Sequence, residues 1–82
     1  MNSKIESVEI LLDMLRAKAD LEFVYNNKYF SIVYPNEKIL LLEQNTENEI
    51  EFETTQAFLD YEYQGQKMQD VILEAQITFR CF

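Results

Sequence analysis

Carboxylates are the only abundant reactive groups in this chain. Seven of them, Glu43, Glu47, Glu49, Glu51, Glu53, Asp60 and Glu62, lie between Lys38 and Lys67 with no lysine or arginine among them. Glu49, Glu51 and Glu53 alternate with Ile50 and Phe52. On one strand face they would stand about 7 Å apart, too far for a single cation to touch all three unaided. The run Asn45-Thr46-Glu47-Asn48-Glu49 lacks the glycine and the ligand order of a calcium loop, so no metal site is expected. Two readings remain for these seven acids. One is a solvated, self-repelling strand face that guards a sheet edge against unwanted pairing. The other is an electrostatic docking surface for a basic partner, including an imitation of the phosphate row of nucleic acid.

Other chemistry is excluded by what is missing. There is no histidine, hence no common general base or zinc ligand. Cys81 is the only cysteine, which rules out an intrachain disulfide or a tetrahedral zinc or iron–sulfur site within one subunit. As a nucleophile it would need a base, and its neighbour Arg80 belongs to the opposite strand face. Gly65 is the only glycine, too few for a phosphate-cradling loop, so no nucleotide cofactor is expected. A net charge of −8 argues against direct contact with nucleic acid or an anionic membrane, since both recruit cationic patches. The expectation is a non-enzymatic protein without catalytic, cofactor-binding or metal residues.

The elements that position these groups follow from hydrophobic period. With 82 residues, 48% of them apolar, the chain suits one core, and a single domain over 1–82 is expected. Ile5, Val8, Leu12, Leu15 and Ala19 recur at helical spacing, and Ser3 with Glu6 fits a capping box, predicting a helix over 3–19. Ile10, Met14 and Ala17 form a second stripe beside the first, with Leu11 between. This stripe is either part of a wide core-facing arc or a dimer or partner contact, for which Ile10 and Met14 are the candidate self-association residues. From Leu21 the period becomes two. Asn26-Asn27 predicts a tight hairpin turn, and Pro35-Asn36-Glu37 a second turn before a strand over 38–43. Tyr29 and Val33 fall on one face of the hairpin and Phe30, Ile32 and Tyr34 on the other, so both faces need cover.

After a polar loop at 44–48, a fourth strand is predicted at 49–53, then a brief helical turn capped by Thr54 or Thr55 over 56–60. Gly65 marks a turn needing positive φ, followed by a second helix carrying Met68, Val71, Ile72 and Ala75. Ile77, Phe79 and Cys81 alternate in a closing strand. The fold class is α+β: an N-terminal helix on a mainly antiparallel sheet, made of a meander plus a C-terminal strand, with a second short helix near the C-terminus.

Tyr25-Asn26-Asn27-Lys28-Tyr29-Phe30-Ser31-Ile32, with Phe58-Leu59-Asp60-Tyr61 and Gly65-Gln66-Lys67-Met68-Gln69-Asp70-Val71-Ile72, resembles small uncharacterised proteins of low-GC Gram-positive bacteria and their mobile elements. The resemblance spans about half the chain and brings structural patterns without functional residues. Small acidic phage inhibitors are similar in size and charge. The longest apolar run, Ile39-Leu40-Leu41-Leu42, is far short of a membrane span, and the polar start is unlike a secretory signal, so a cytoplasmic protein is expected. Its expected role is a protein-interaction module, self-associating or binding another protein. The alternative is an acidic decoy that docks on a basic surface through Glu43–Glu62.

Overall fold

In the computed structural model, which describes residues 4–81, the three central strands of the main sheet alternate between a buried and an open side. The N-terminal helix α1 (Val8–Arg16) leads into β1 (Leu21–Tyr25) and β2 (Lys28–Val33). A 3₁₀ turn at Pro35–Glu37 leads to β3 (Ile39–Glu43) and β4 (Glu49–Phe52). Then come α2 (Thr55–Asp60), a two-residue hairpin of β5 (Glu62–Tyr63) and β6 (Gln66–Lys67), α3 (Met68–Glu74) and β7 (Gln76–Arg80). The main sheet runs β4-β3-β2-β1-β7 and is antiparallel throughout. The fold is therefore α+β, with the meander and the C-terminal strand in one sheet.

The turns hold the register. Asn26 and Asn27 both take positive φ, 51° and 63°, a conformation whose cost asparagine lowers with its own polar side chain. Lys18 at φ 55° ends α1 where glycine is the usual choice: its amide bonds Leu15 O, and the Ala19 amide bonds Met14 O at 2.9 Å. Gly65 at φ 84° follows Gln64 at 53°, and together they turn the β5–β6 hairpin. Sequence reasoning placed the glycine turn but not this hairpin, whose strands are too short to show a period.

All three helices pack on the same side of the sheet. Leu21, Phe23, Phe30, Ile32, Ile39, Leu41, Phe52 and Ile77 project toward them and meet Leu11, Met14 and Leu15 of α1, Phe58 and Leu59 of α2, and Met68, Val71 and Ile72 of α3. Phe23 stacks on Phe30 at 5.1 Å between centroids, and Phe52 meets Phe58 edge to face at 5.3 Å. Side-chain caps start two of the helices. Ser7 Oγ accepts from the Ile10 amide at 3.2 Å, and Thr54 Oγ1 accepts from the Ala57 amide at 3.1 Å.

Three expectations are corrected. The helix begins at Val8, not at residue 3, because Ser7 supplies the cap; Ser3 lies outside the described residues, and Glu6 precedes the helix. Of the predicted stripe Ile5, Leu15 and Ala19 are buried, but within the helix the buried arc centres on Leu11, Met14 and Leu15 and leaves Val8 and Leu12 half-buried. In β7 the register slips by one residue between Glu22 and Phe23, so Ile77 lies opposite Phe23 but Phe79 opposite Glu22. This bulge at Thr78 turns Phe79 to the open side while Ile77 stays in the core, and an even alternation does not foresee it.

This assignment makes Phe23→Ala cost about 3–5 kcal/mol, since it empties the ring stack at the centre of the core. Phe79→Ser should change stability by less than about 0.5 kcal/mol. Urea midpoints followed by circular dichroism separate the two, and equal costs would refute the bulge.

Candidate functional site

With the helices on one side, the other side of the main sheet stays open. The register places Phe79, Glu22, Ser31, Leu42 and Glu49 in one row across β7, β1, β2, β3 and β4. Gln76, Val24 and Tyr29 form the row on one side, and Val33, Leu40 and Glu51 that on the other. Tyr29 is 53% exposed and Phe79 47%, while Val24, Val33, Leu40 and Leu42 are half-buried by their neighbours alone. The apolar run Ile39-Leu40-Leu41-Leu42 was the signal for this face, because consecutive apolar residues on a strand supply both sides. Among the described residues no second layer covers this face, and the aromatic side chains of Tyr29 and Phe79 stay exposed on it.

The seven acids do not act as one surface. Lys38 Nζ binds Glu53 at 3.0 Å and Glu51 at 3.7 Å, and Lys67 Nζ lies 3.7 Å from Asp60. Glu62 sits across the small hairpin from Lys67. The Glu53 hydrogen bond, with the charges of Glu51 and Glu53, raises the Lys38 pKa above the usual lysine range. Glu37, outside the acidic stretch, is held below the usual carboxylate range by its hydrogen bond from Lys18 and by the lysine charge.

Glu43, Glu47 and Glu49 differ: among the described residues none of the three meets a lysine or arginine, and Glu43 only accepts from Asn48 Nδ2 at 3.3 Å. Glu43 and Glu47 stand at a cavity of about 350 Å³ at the β3–β4 end of the helix-covered side, which Glu49 also borders although its register places it on the open face. Its apolar walls are Phe30, Leu41, Ile50, Tyr61 and Tyr63. Tyr63 packs edge to face against Phe30 at 5.6 Å, and its buried hydroxyl has no hydrogen-bond partner among the described residues. Sequence reasoning missed the cavity because its walls come from four separate segments. Among the described residues no three acidic or sulfur groups converge well enough to hold a metal ion.

No family model, curated protein or solved structure matches this chain. Its surfaces are therefore read on their own chemistry. Met14 is 1% exposed and belongs to the core, while Ile10 is half-buried against it. Met14 is thus closed to a partner, because α1 turns it toward α2 and α3, while Ile10 stays partly accessible and Ala17 exposed. Cys81 is exposed, and its amide bonds Asp20 O at 3.2 Å. Among the described residues no helix is long and apolar enough to cross a membrane.

Tyr34 ties the end of the hairpin to the end of α1, its hydroxyl donating to Ala19 O at 2.7 Å. Burial, helped by the charge of Asp20, pushes its pKa up to about 12. The folded state thus keeps a proton that the unfolded chain loses near pH 10. The stabilisation is whole below about pH 10 and is lost as pH rises through about 12. Tyr34→Phe should flatten the fall of stability across that alkaline range, at the cost of about 1 kcal/mol at neutral pH from the lost hydrogen bond, as denaturant titrations at several pH values would record. Tyr63→Phe should hold stability or raise it by up to about 1 kcal/mol, because it removes a buried hydroxyl that bonds nothing; a clear drop in melting temperature would show that the hydroxyl has a partner.

Proposed function

We propose that this protein is a non-enzymatic interaction module of the cytoplasm whose open sheet face docks on another protein. The observation that carries the reading is the one-sided cover of the main sheet, which leaves Tyr29, Phe79, Val24, Val33, Leu40 and Leu42 together on a face without a second layer. Apolar side chains set among polar ones, here with Glu22 and Ser31 between Phe79 and Leu42, have the composition of a non-obligate protein contact.

Charge selects the kind of partner. Glu22, Glu49 and Glu51 share the open face, and Lys38, at its border, is already engaged by Glu51 and Glu53. Two copies packed face to face would bring like charges together at the edges of the contact, which costs affinity. A partner with apolar side chains flanked by lysine or arginine satisfies both parts of the surface. An acidic decoy copying a row of phosphates draws less support, because ion pairs take Glu51, Glu53 and Asp60 out of any continuous line of bare charge.

Affinity capture from the native host with Leu42→Lys as the control tests the reading. A protein held by the native chain should be lost from the variant, with its retention weakening as salt rises. Identical captures by both proteins would refute the face as the contact. Light scattering adds an independent outcome: a stable dimer broken by Leu42→Lys would make the second copy the partner.

A further inference from the structure

We propose that the aromatic cavity at the β3–β4 end is a binding site for an organic cation, an alkylammonium or alkylguanidinium group. This goes beyond the sheet-face reading and does not rest on it, because the cavity lies on the helix-covered side.

Size, wall chemistry and charge agree. A volume of about 350 Å³ falls at the lower end of the range for small-ligand pockets and exceeds the needs of a water or a bare ion. Tyr61 and Tyr63, both half-buried, supply ring surface, and a cation over such a ring is drawn to its electron-rich face by about 0.5–2 kcal/mol. Glu43 and Glu47 line the same space and bring two negative charges without a lysine or arginine among the lining residues. An anion is therefore repelled, and a neutral apolar guest leaves those carboxylates without a partner.

The spread of the carboxylates decides between cations. Their oxygens do not converge as a metal's ligands must. A guanidinium or ammonium on an aliphatic stem needs no such convergence: the stem lies on the rings while several N–H groups reach separate acceptors. The cation can come from a free polyamine or from an arginine or lysine side chain of a protein.

Nuclear magnetic resonance titration of the whole protein tests this with four probes: n-butylguanidinium, the neutral N-butylurea, spermidine, and an acetylated Gly-Arg-Gly amide. The cations should give saturable shifts at Ile50, Tyr61 and Tyr63, and N-butylurea should not. Tighter binding of the peptide than of n-butylguanidinium assigns the site to a protein side chain, and tighter binding of spermidine to a free polyamine. Glu43→Gln with Glu47→Gln should weaken binding at least about tenfold, and Tyr61→Leu should weaken it too, each in a variant whose spectrum keeps its dispersion. Leu42→Lys, on the opposite sheet face, should leave the shift pattern in place, so failure of the sheet-face reading and failure of this one are separate results. The proposal is overturned by the absence of saturable shifts at the cavity with every cation, by equal binding of N-butylurea, or by binding that survives both sets of substitutions.

Discussion

Three helices of 9, 6 and 7 residues must cover a five-stranded sheet. At 1.5 Å of rise per residue they are about 14, 9 and 10 Å long, while the sheet spans about 19 Å between its outer strands. That much helix makes one layer and no more. Strand alternation then does the sorting, sending Phe23, Phe30, Ile32 and Leu41 into the single core and Val24, Tyr29, Leu40 and Leu42 to the other side. The core and the open face are products of one constraint, because each strand residue given to one side is followed by one given to the other.

The same short covering layer shapes the cavity. Toward the β3–β4 end the helices give out, and the chain passes from α2 into the β5–β6 hairpin, bringing Tyr61 and Tyr63 up to Phe30 and Ile50 without closing the space between. Electrostatics then separates this end from the rest of an acidic molecule. Where lysines are within reach, at Glu51, Glu53 and Asp60, charge is answered locally by exposed pairs of small individual worth. Where none is, around Glu43 and Glu47, the charge beside the cavity has no lysine or arginine to answer it among the described residues.

Most of the architecture was legible in the sequence, since strong periods and turn chemistry are local. The hairpin at Asn26-Asn27, the turn at Pro35, the cap at Thr54 and the positive φ at Gly65 each depend on residues a few positions apart. The misses share a different origin. The role of Met14 stayed open between core and contact because a wheel ranks arcs by composition, whereas the packing of α1 against α2 and α3 decides which arc is buried. Phe79 looked like a core residue because one bulge reverses everything after it. The seven acids looked continuous because Lys38 and Lys67 stand at the two ends of the stretch and fold back onto it. The cavity, drawn from β2, β3, β4 and the chain after α2, leaves no mark in any single window.

The place of β7 has a consequence for the order of assembly. β1, β2, β3 and β4 are neighbours both in the chain and in the sheet, so they can pair through short loops as soon as each is available. The outer edge of β1 has to wait, because Leu21 is matched with Arg80 and nearly the whole intervening chain must be looped out first. During that interval β1 is an exposed edge in the middle of the most apolar part of the molecule, open to strands from other chains. The joining of β7 ends this period of vulnerability, so the slowest contact to form is also the one that protects the protein from aggregation.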